Sequence, residues 1–242
     1  MPPLLEVDRV SKSFGGVAAN VDISFEVREG EILGLIGPNG AGKTSLFNAI
    51  SGAVMPDAGE IRLSGRRISG LTPEQCSQLG IARTFQVVRS FDSMTVLENV
   101  MVGAFSRLSR TRKAMARALE MLASTGLAAR ADTPAHALTP AEKRRLEVAR
   151  ALATEPRLLL LDEMLTGLTP VEAQSGVQLI REVRARGITV IMVEHVMEVL
   201  LPLVDRAVVL DLGRVLTIGA PHDVVRNPDV IRAYLGDRYA AG

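Results

Sequence analysis

Apolar and polar residues alternate over 4–10 and again over 21–27, the period of two expected of half-buried strands. Ser-Phe-Gly-Gly at 13–16 reads as the turn between them, and Glu29-Gly30 as a second turn. The segment 31–37 is different. It is a short apolar run, which predicts a strand buried on both faces in a parallel sheet. A glycine-rich loop and a helix over 43–51 follow. Short strands are predicted at 60–63 and 66–68, joined at Ser64-Gly65, then a helical stretch at 74–78 and a strand at 81–85.

The pattern then changes period. From 87 to 154 no strand is predicted, and the segments 95–105, 112–125 and 141–154 carry helical spacing. From Pro156 strands and helices alternate again: strand 157–161, helix 170–186, strand 188–193, helix 196–201, strand 206–210. A short strand at 214–218 and two short helices close the chain. Alternating strands and helices predict an α/β fold, a parallel sheet with helices on its faces. The middle reads as an all-helical insertion, giving a single domain over 1–242. Its α/β core is 1–86 with 156–242, and its helical subdomain is 87–155.

Composition narrows the function classes. Of 242 residues, 47% are apolar, ample for a core, and 28 Lys+Arg nearly balance 27 Asp+Glu. A net charge of +1 argues against a nucleic-acid partner. A lone cysteine, Cys76, excludes an intrachain disulfide and fits a reducing compartment. The longest charge-free stretch, 44–56, falls short of the ~18 residues a membrane-spanning helix needs. The N-terminus has neither the basic nor the long apolar region of a secretory signal, so a soluble intracellular protein is expected. The helical insertion is basic, with Arg107, Arg110, Arg112, Lys113 and Arg117 close together. That cluster reads first as a solvated helix face, and second as a contact for anionic lipid or an acidic partner loop.

Two motifs carry chemistry. Gly37-Pro38-Asn39-Gly40-Ala41-Gly42-Lys43-Thr44 fits the phosphate-loop pattern G-x-x-x-x-G-K-[ST], between an apolar strand and a helix. Its glycines let main-chain N–H groups turn inward around phosphate oxygens, and the helix start points its positive end at the same anion. Lys43 is expected on the β- and γ-phosphates and the Thr44 hydroxyl on Mg²⁺. Arginine far outnumbers lysine in this chain, so a lysine where a compact rotatable charge is wanted is informative.

The second motif is Leu158-Leu159-Leu160-Leu161-Asp162-Glu163, a buried strand ending in two acids at the edge where open α/β sheets bind ligands. Asp162 is expected to hold the Mg²⁺, and Glu163 to polarise the attacking water. His195 and Glu194 follow a third apolar strand, and beside two nucleotide motifs His195 reads as a γ-phosphate contact. Gln86, at the entrance to the insertion, reads as a ligand of the metal or the water.

Together these residues resemble the nucleotide-binding subunit of ABC transporters over nearly the whole chain. The motifs stand in order: an early aromatic (Phe14), Walker A (37–44), a Q-loop glutamine (Gln86), a helical insertion, a signature region (138–142), Walker B (158–163) and a switch histidine (His195). The stretches 12–16, 81–86, 94–100, 144–152 and 227–236 look most like ATP-binding subunits of branched-chain (hydrophobic) amino-acid importers.

The resemblance implies a P-loop fold with a mostly parallel sheet, an N-terminal antiparallel β subdomain and an inserted helical subdomain. It implies ATP and Mg²⁺ as ligands, with Phe14 stacked on adenine and Ser45, Thr139 and Ala141 among the nucleotide contacts. It further implies a second ATPase subunit, identical or different, arranged so that each ATP lies between one chain's Walker A and the other's signature. Integral membrane permease subunits, and indirectly a periplasmic binding protein, would complete an importer at the cytoplasmic face of a bacterial inner membrane. An exporter of lipid-linked polysaccharide and a urea or amide importer share much of this pattern.

The sequence departs from the family pattern in three places. The signature is normally Leu-Ser-Gly-Gly-Gln and here reads Leu138-Thr139-Pro140-Ala141-Glu142. Thr139 as N-cap, Pro140 at the first helical position and Glu142 three after the cap still make a good helix start. Pro140, however, has no N–H, and Glu142 adds a negative charge near an anion. Met164 replaces the usual proline after the acids, and Thr169 a common Asp or Asn. The expectation is a fully equipped site on this chain's own Walker A and a weaker one completed by its signature.

Overall fold

A computed structural model describes residues 2–84, 90–194 and 196–235. In chain order the elements begin with β1 (Leu5–Phe14), β2 (Val17–Val27), β3 (Ile32–Ile36), α1 (Lys43–Ile50), β4 (Ala58–Leu63), β5 (Arg66–Arg67), α2 (Pro73–Gln78) and β6 (Ile81–Arg83). Helices α3 (Val96–Phe105), α4 (Thr111–Ser124) and α5 (Pro140–Ala153) follow. The chain continues through β7 (Leu158–Asp162), α6 (Pro170–Ala185), β8 (Thr189–Val193), α7 (Met197–Leu200), β9 (Arg206–Asp211), β10 (Arg214–Gly219), α8 (Pro221–Val224) and α9 (Pro228–Leu235). These form two compact units, Met1–Leu79 with Thr189–Gly242, and Gly80–Ile188.

The first unit holds an antiparallel sheet in the order β2-β1-β4-β5. The turn predicted at 13–16 is shorter than expected. Ser13 and Phe14 belong to β1, the turn is Gly15-Gly16, and Phe14 pairs with Val17. The alternation failed there because bulges shift the β1–β2 register after Val7 and Val10. Arg9 and Asp22 take left-handed backbone at φ 48° and 55°. Their N–H groups are satisfied by side chains instead, Arg9 donating to Ser24 Oγ (2.8 Å) and Asp22 to Ser11 Oγ (3.0 Å).

In the same unit β3 lies parallel to β8 on one side and β9 on the other, and β10 closes antiparallel on β9. Every residue of β3 and β8 is buried, as the unbroken apolar runs require. Helix α1 buries Leu46, Phe47, Ala49 and Ile50. Its N-terminus therefore lies one short loop beyond the C-terminal end of β3.

The second unit holds the parallel pair β6 and β7 together with α3, α4, α5 and α6. The helices are lined with small residues such as Ala104, Ala114, Ala118 and Ala149, all fully buried. At Gly103 a Cβ would collide with the Arg150 carbonyl oxygen, so only glycine admits this approach of α3 to α5. Asn99, fully buried, ties the loop ahead of α3 to the helix: its Nδ2 donates to Phe91 O (3.1 Å) and Thr95 O (2.9 Å), and its Oδ1 accepts from Phe91 N–H (2.9 Å).

Candidate nucleotide site

The predicted phosphate loop is the β3–α1 connection. Gly37, Gly40 and Gly42 have φ of 153°, 82° and 97°. A Cβ on Gly37 would collide with the Leu210 carbonyl oxygen, and one on Gly42 with that of Ala19. The loop is therefore seated tightly against β9 and β2, and a side chain at either glycine would displace it. Asn20 closes the back of the seat: 1% exposed, it donates from Nδ2 to the Gly42 carbonyl at 3.1 Å.

Gly42 caps α1 in the left-handed region, and no side chain caps the helix. The first turn of the helix thus opens on the loop with its positive end, uncapped by any side chain. The buried Lys43 ammonium is held over the loop, donating to Gly37 O (2.6 Å) and Pro38 O (3.0 Å). Asn39, Gly40 and Thr44 are exposed, Pro38 and Ser45 half-buried and Ala41 buried. Amides, an ammonium and a surface hydroxyl around a glycine seat suit a polyphosphate tail.

The second unit carries the acids. Asp162 ends β7, 4% exposed, and Oδ2 accepts from Arg83 Nη2 at 3.0 Å. Its N–H donates to Thr84 Oγ1 at 3.2 Å. Glu163 follows in the left-handed region, φ 51°, an uncommon conformation for a residue with a Cβ and one found at functional turns. Arg144 on α5 donates from Nη1 to the Met164 carbonyl (3.0 Å) and to that of Thr166, holding the loop beyond Glu163. Met164, where proline is usual, is buried, and Thr169 caps α6 in a box with Glu172.

At the signature the cap reads as the sequence predicts. Thr139 is the N-cap of α5, Pro140 its first residue, and Glu142 completes a capping box, with Ala141 buried beneath. Phe14 is half-exposed, and the Lys12 ammonium stands 5.4 Å from its ring centroid. Gln86 and His195 lie outside the described residues. Sequence reasoning missed Asn20, Arg83 and Arg144. None of them is marked by the pattern of its neighbours along the chain.

The profile of the ABC transporter family matches residues 21–166. This chain belongs to that family. The ABC transporter ATP-binding domains are ATPases, and a second profile, for branched-chain amino acid ATP-binding cassette transporters, matches 214–240. The high-affinity branched-chain amino acid transport ATP-binding protein LivG of Salmonella typhimurium is 42% identical, over 97% of this chain and 98% of that protein. The lipopolysaccharide export system ATP-binding protein LptB of Acidithiobacillus ferridurans is 37% identical, over 99% of each. A crystal structure of the ADP conformation of an ATP-binding cassette of an ABC transporter superposes with a TM-score of 0.89 at 28% identity, covering 98% of this chain and all of the other. The ABC fold and its nucleotide binding are thereby those of this chain.

Proposed function

We propose that this chain is the ATP-hydrolysing subunit that energises a membrane importer of branched-chain or other hydrophobic amino acids. The observation that carries the nucleotide half is the glycine seat at Gly37 and Gly42, with the Lys43 ammonium held over its carbonyls. The solute half rests on the branched-chain profile at 214–240 and the likeness to LivG. A polysaccharide-export reading has the LptB likeness in its favour and lacks that C-terminal support.

In this reading the amides of Gly40 to Thr44 and the Lys43 ammonium bind the β- and γ-phosphates of ATP, with Gly37, Pro38, Asn39 and Ser45 shaping the loop, and Phe14 takes the adenine. The Thr44 hydroxyl, Asp162 and Gln86 are the residues that would hold Mg²⁺, which when bound neutralises the charge gathering on the phosphates. Glu163 orients and polarises the attacking water, and His195 contacts the γ-phosphate. Catalysis here is positioning and charge neutralisation rather than covalent chemistry.

Each ATP lies between this Walker A and the signature of a second subunit, identical or different. The Thr139–Ala141 turn does the same for the partner's ATP. Integral permease subunits anchor the pair at the cytoplasmic face of a bacterial inner membrane, and a periplasmic binding protein delivers the solute. No helix among the described residues is long and apolar enough to cross a membrane.

The test is transport by vesicles carrying the complex recovered through this chain. Leucine uptake should require ATP, fail with Lys43→Ala for want of binding, and fail with Glu163→Gln while ATP still binds. Uptake that survives both changes ends the proposal.

A further inference from the structure

Glu142 stands third in α5, where the family signature carries glutamine. A carboxylate at a helix N-terminus stabilises the helix, because the first-turn amides are partially positive. It opposes a phosphate approaching the same amides. Here both carboxylate oxygens are engaged. Oε2 accepts from the Thr139 N–H at 2.9 Å, and Oε1 accepts from Arg130 Nε at 3.0 Å. The Thr139 N–H, and after it the Arg130 guanidinium, hold the Glu142 carboxyl below the usual carboxylate range.

Arg130 reaches Glu142 from a fixed backbone. It ends a short 3₁₀ turn, Ala128–Arg130, its N–H donates to Leu127 O (2.9 Å), and its carbonyl accepts from Thr133 N–H (2.8 Å). At the cap, Pro140 has no N–H and the Glu142 N–H is committed to Thr139 Oγ1 at 3.2 Å. The Ala141 N–H is the first-turn amide that this arrangement leaves for an outside acceptor.

We infer that Arg130 is a positioning residue of the signature: it draws the Glu142 carboxylate back against the cap and cancels its charge, so that the start of α5 can meet a triphosphate without an opposing anion. The inference rests on the ATPase reading above, in which this turn faces the partner's nucleotide. It revises the expectation of a weakened second site, because the acid of the altered signature brings its own counterion. A half-exposed ion pair contributes little to folding, so the role of Arg130 is separable from stability.

The experiment compares the unmodified complex, recovered through this chain with its membrane subunits, with Arg130→Ala, Arg130→Lys, Glu142→Gln and the Arg130→Ala/Glu142→Gln double variant. Turnover, KM, the ATP affinity of each isolated chain and its melting temperature are measured. Arg130→Ala should lower kcat about tenfold, leave ATP affinity within about twofold and move the melting point by only a few degrees. Affinity holds because it is set by this chain's own phosphate loop. Arg130→Lys should keep most of the turnover. In the Glu142→Gln background Arg130→Ala should cost less than about twofold, since no charge remains to cancel. An equal loss in both backgrounds, or no loss in either, overturns the inference while leaving the ATPase reading intact. An unmodified complex without ATP turnover would sink that reading and this inference with it.

Discussion

Arg83 on β6 and Asp162 at the end of β7 form a nearly buried ion pair, Nη2 to Oδ2 at 3.0 Å, with side chains 10% and 2% exposed. The strands pair in parallel with Arg83 opposite Leu160, so β6 delivers the guanidinium to the tip where β7 delivers its acid. Two charges withdrawn from water depend on each other's geometry. Arg83→Met should therefore destabilise the protein by about 3 kcal/mol, and Arg83→Met with Asp162→Asn by clearly less than the sum of the single changes. Urea unfolding of the four proteins measures the coupling, and additive losses would show that the pair is not a unit.

Three helices of the second unit, α3, α5 and α6, begin with the same device: Thr95, Thr139 and Thr169 each cap the helix, and Glu98, Glu142 and Glu172 reach back to the cap N–H. In all three the main-chain hydrogen bond from the threonine is the leading cause that lowers the glutamate's pKa. A lowered carboxylate stabilises the fold above its unfolded value of 4.5, and that contribution is lost as pH falls through the lower folded value. In the first unit α2 uses Gln75, which does not titrate, in the same role. Hydrogen exchange should show the starts of α3, α5 and α6 losing protection as pH falls below 4.5, with a smaller loss at α2, where Thr72 lowers only the pKa of the first-turn Glu74 and the box residue is neutral. Equal loss at all four would assign acid sensitivity elsewhere.

What the sequence makes legible is what depends on neighbours along the chain. The spacing Gly37 to Thr44 encodes the loop because each of its roles lies within one turn. The cap at Thr139-Pro140-Ala141-Glu142 is local in the same sense, and it forms as read. The β1–β2 hairpin extends beyond what the alternation predicts because its bulges reset the pattern that marks a strand. Arg83 and Asp162 are 79 residues apart, and Asn20 and Gly42 22 apart. Nothing in a run of residues distinguishes such an arginine or asparagine from one facing water. Glu142 looked like an unopposed charge because its counterion comes from a separate turn, Ala128–Arg130.

Tyr234, on α9 in the segment matched by the branched-chain profile, is 39% exposed and interacts with the Gly37 main chain at the head of the phosphate loop. Partial burial raises its phenol to about 12, against a partial lowering by the Gly37 main chain. A folded pKa raised above the unfolded value of about 10 gives stability that is complete below pH 10 and is lost as pH rises toward 12. Tyr234→Phe should remove that pH dependence, and should weaken ATP binding about two- to fivefold by freeing the first glycine of the loop. Alkaline unfolding curves and calorimetric titration of ATP check the two halves separately. A variant with unchanged affinity would confine α9 to a packing role.

The seat beneath the phosphate loop makes the sharpest quantitative demand. Gly42 combines a left-handed φ of 97° with a position where a Cβ would meet the Ala19 carbonyl oxygen, and the Asn20 amide holds its carbonyl from behind. Gly42→Ala adds one methyl group, yet that group strikes main chain, which cannot rotate away as a side-chain tip would. The loop must lift from β2, which turns the amides of α1 away from where they converge. Asn20→Ala is milder, since it deletes one hydrogen bond and leaves the Gly42 carbonyl buried without that donor, at a cost of about 1–3 kcal/mol. ATP affinity should therefore fall in a fixed order: unmodified chain, then Asn20→Ala by about tenfold, then Gly42→Ala below detection. Far-ultraviolet circular dichroism should show all three folded. Gly42→Ala binding ATP as the unmodified chain does would mean that the glycine seat is not what shapes the cradle.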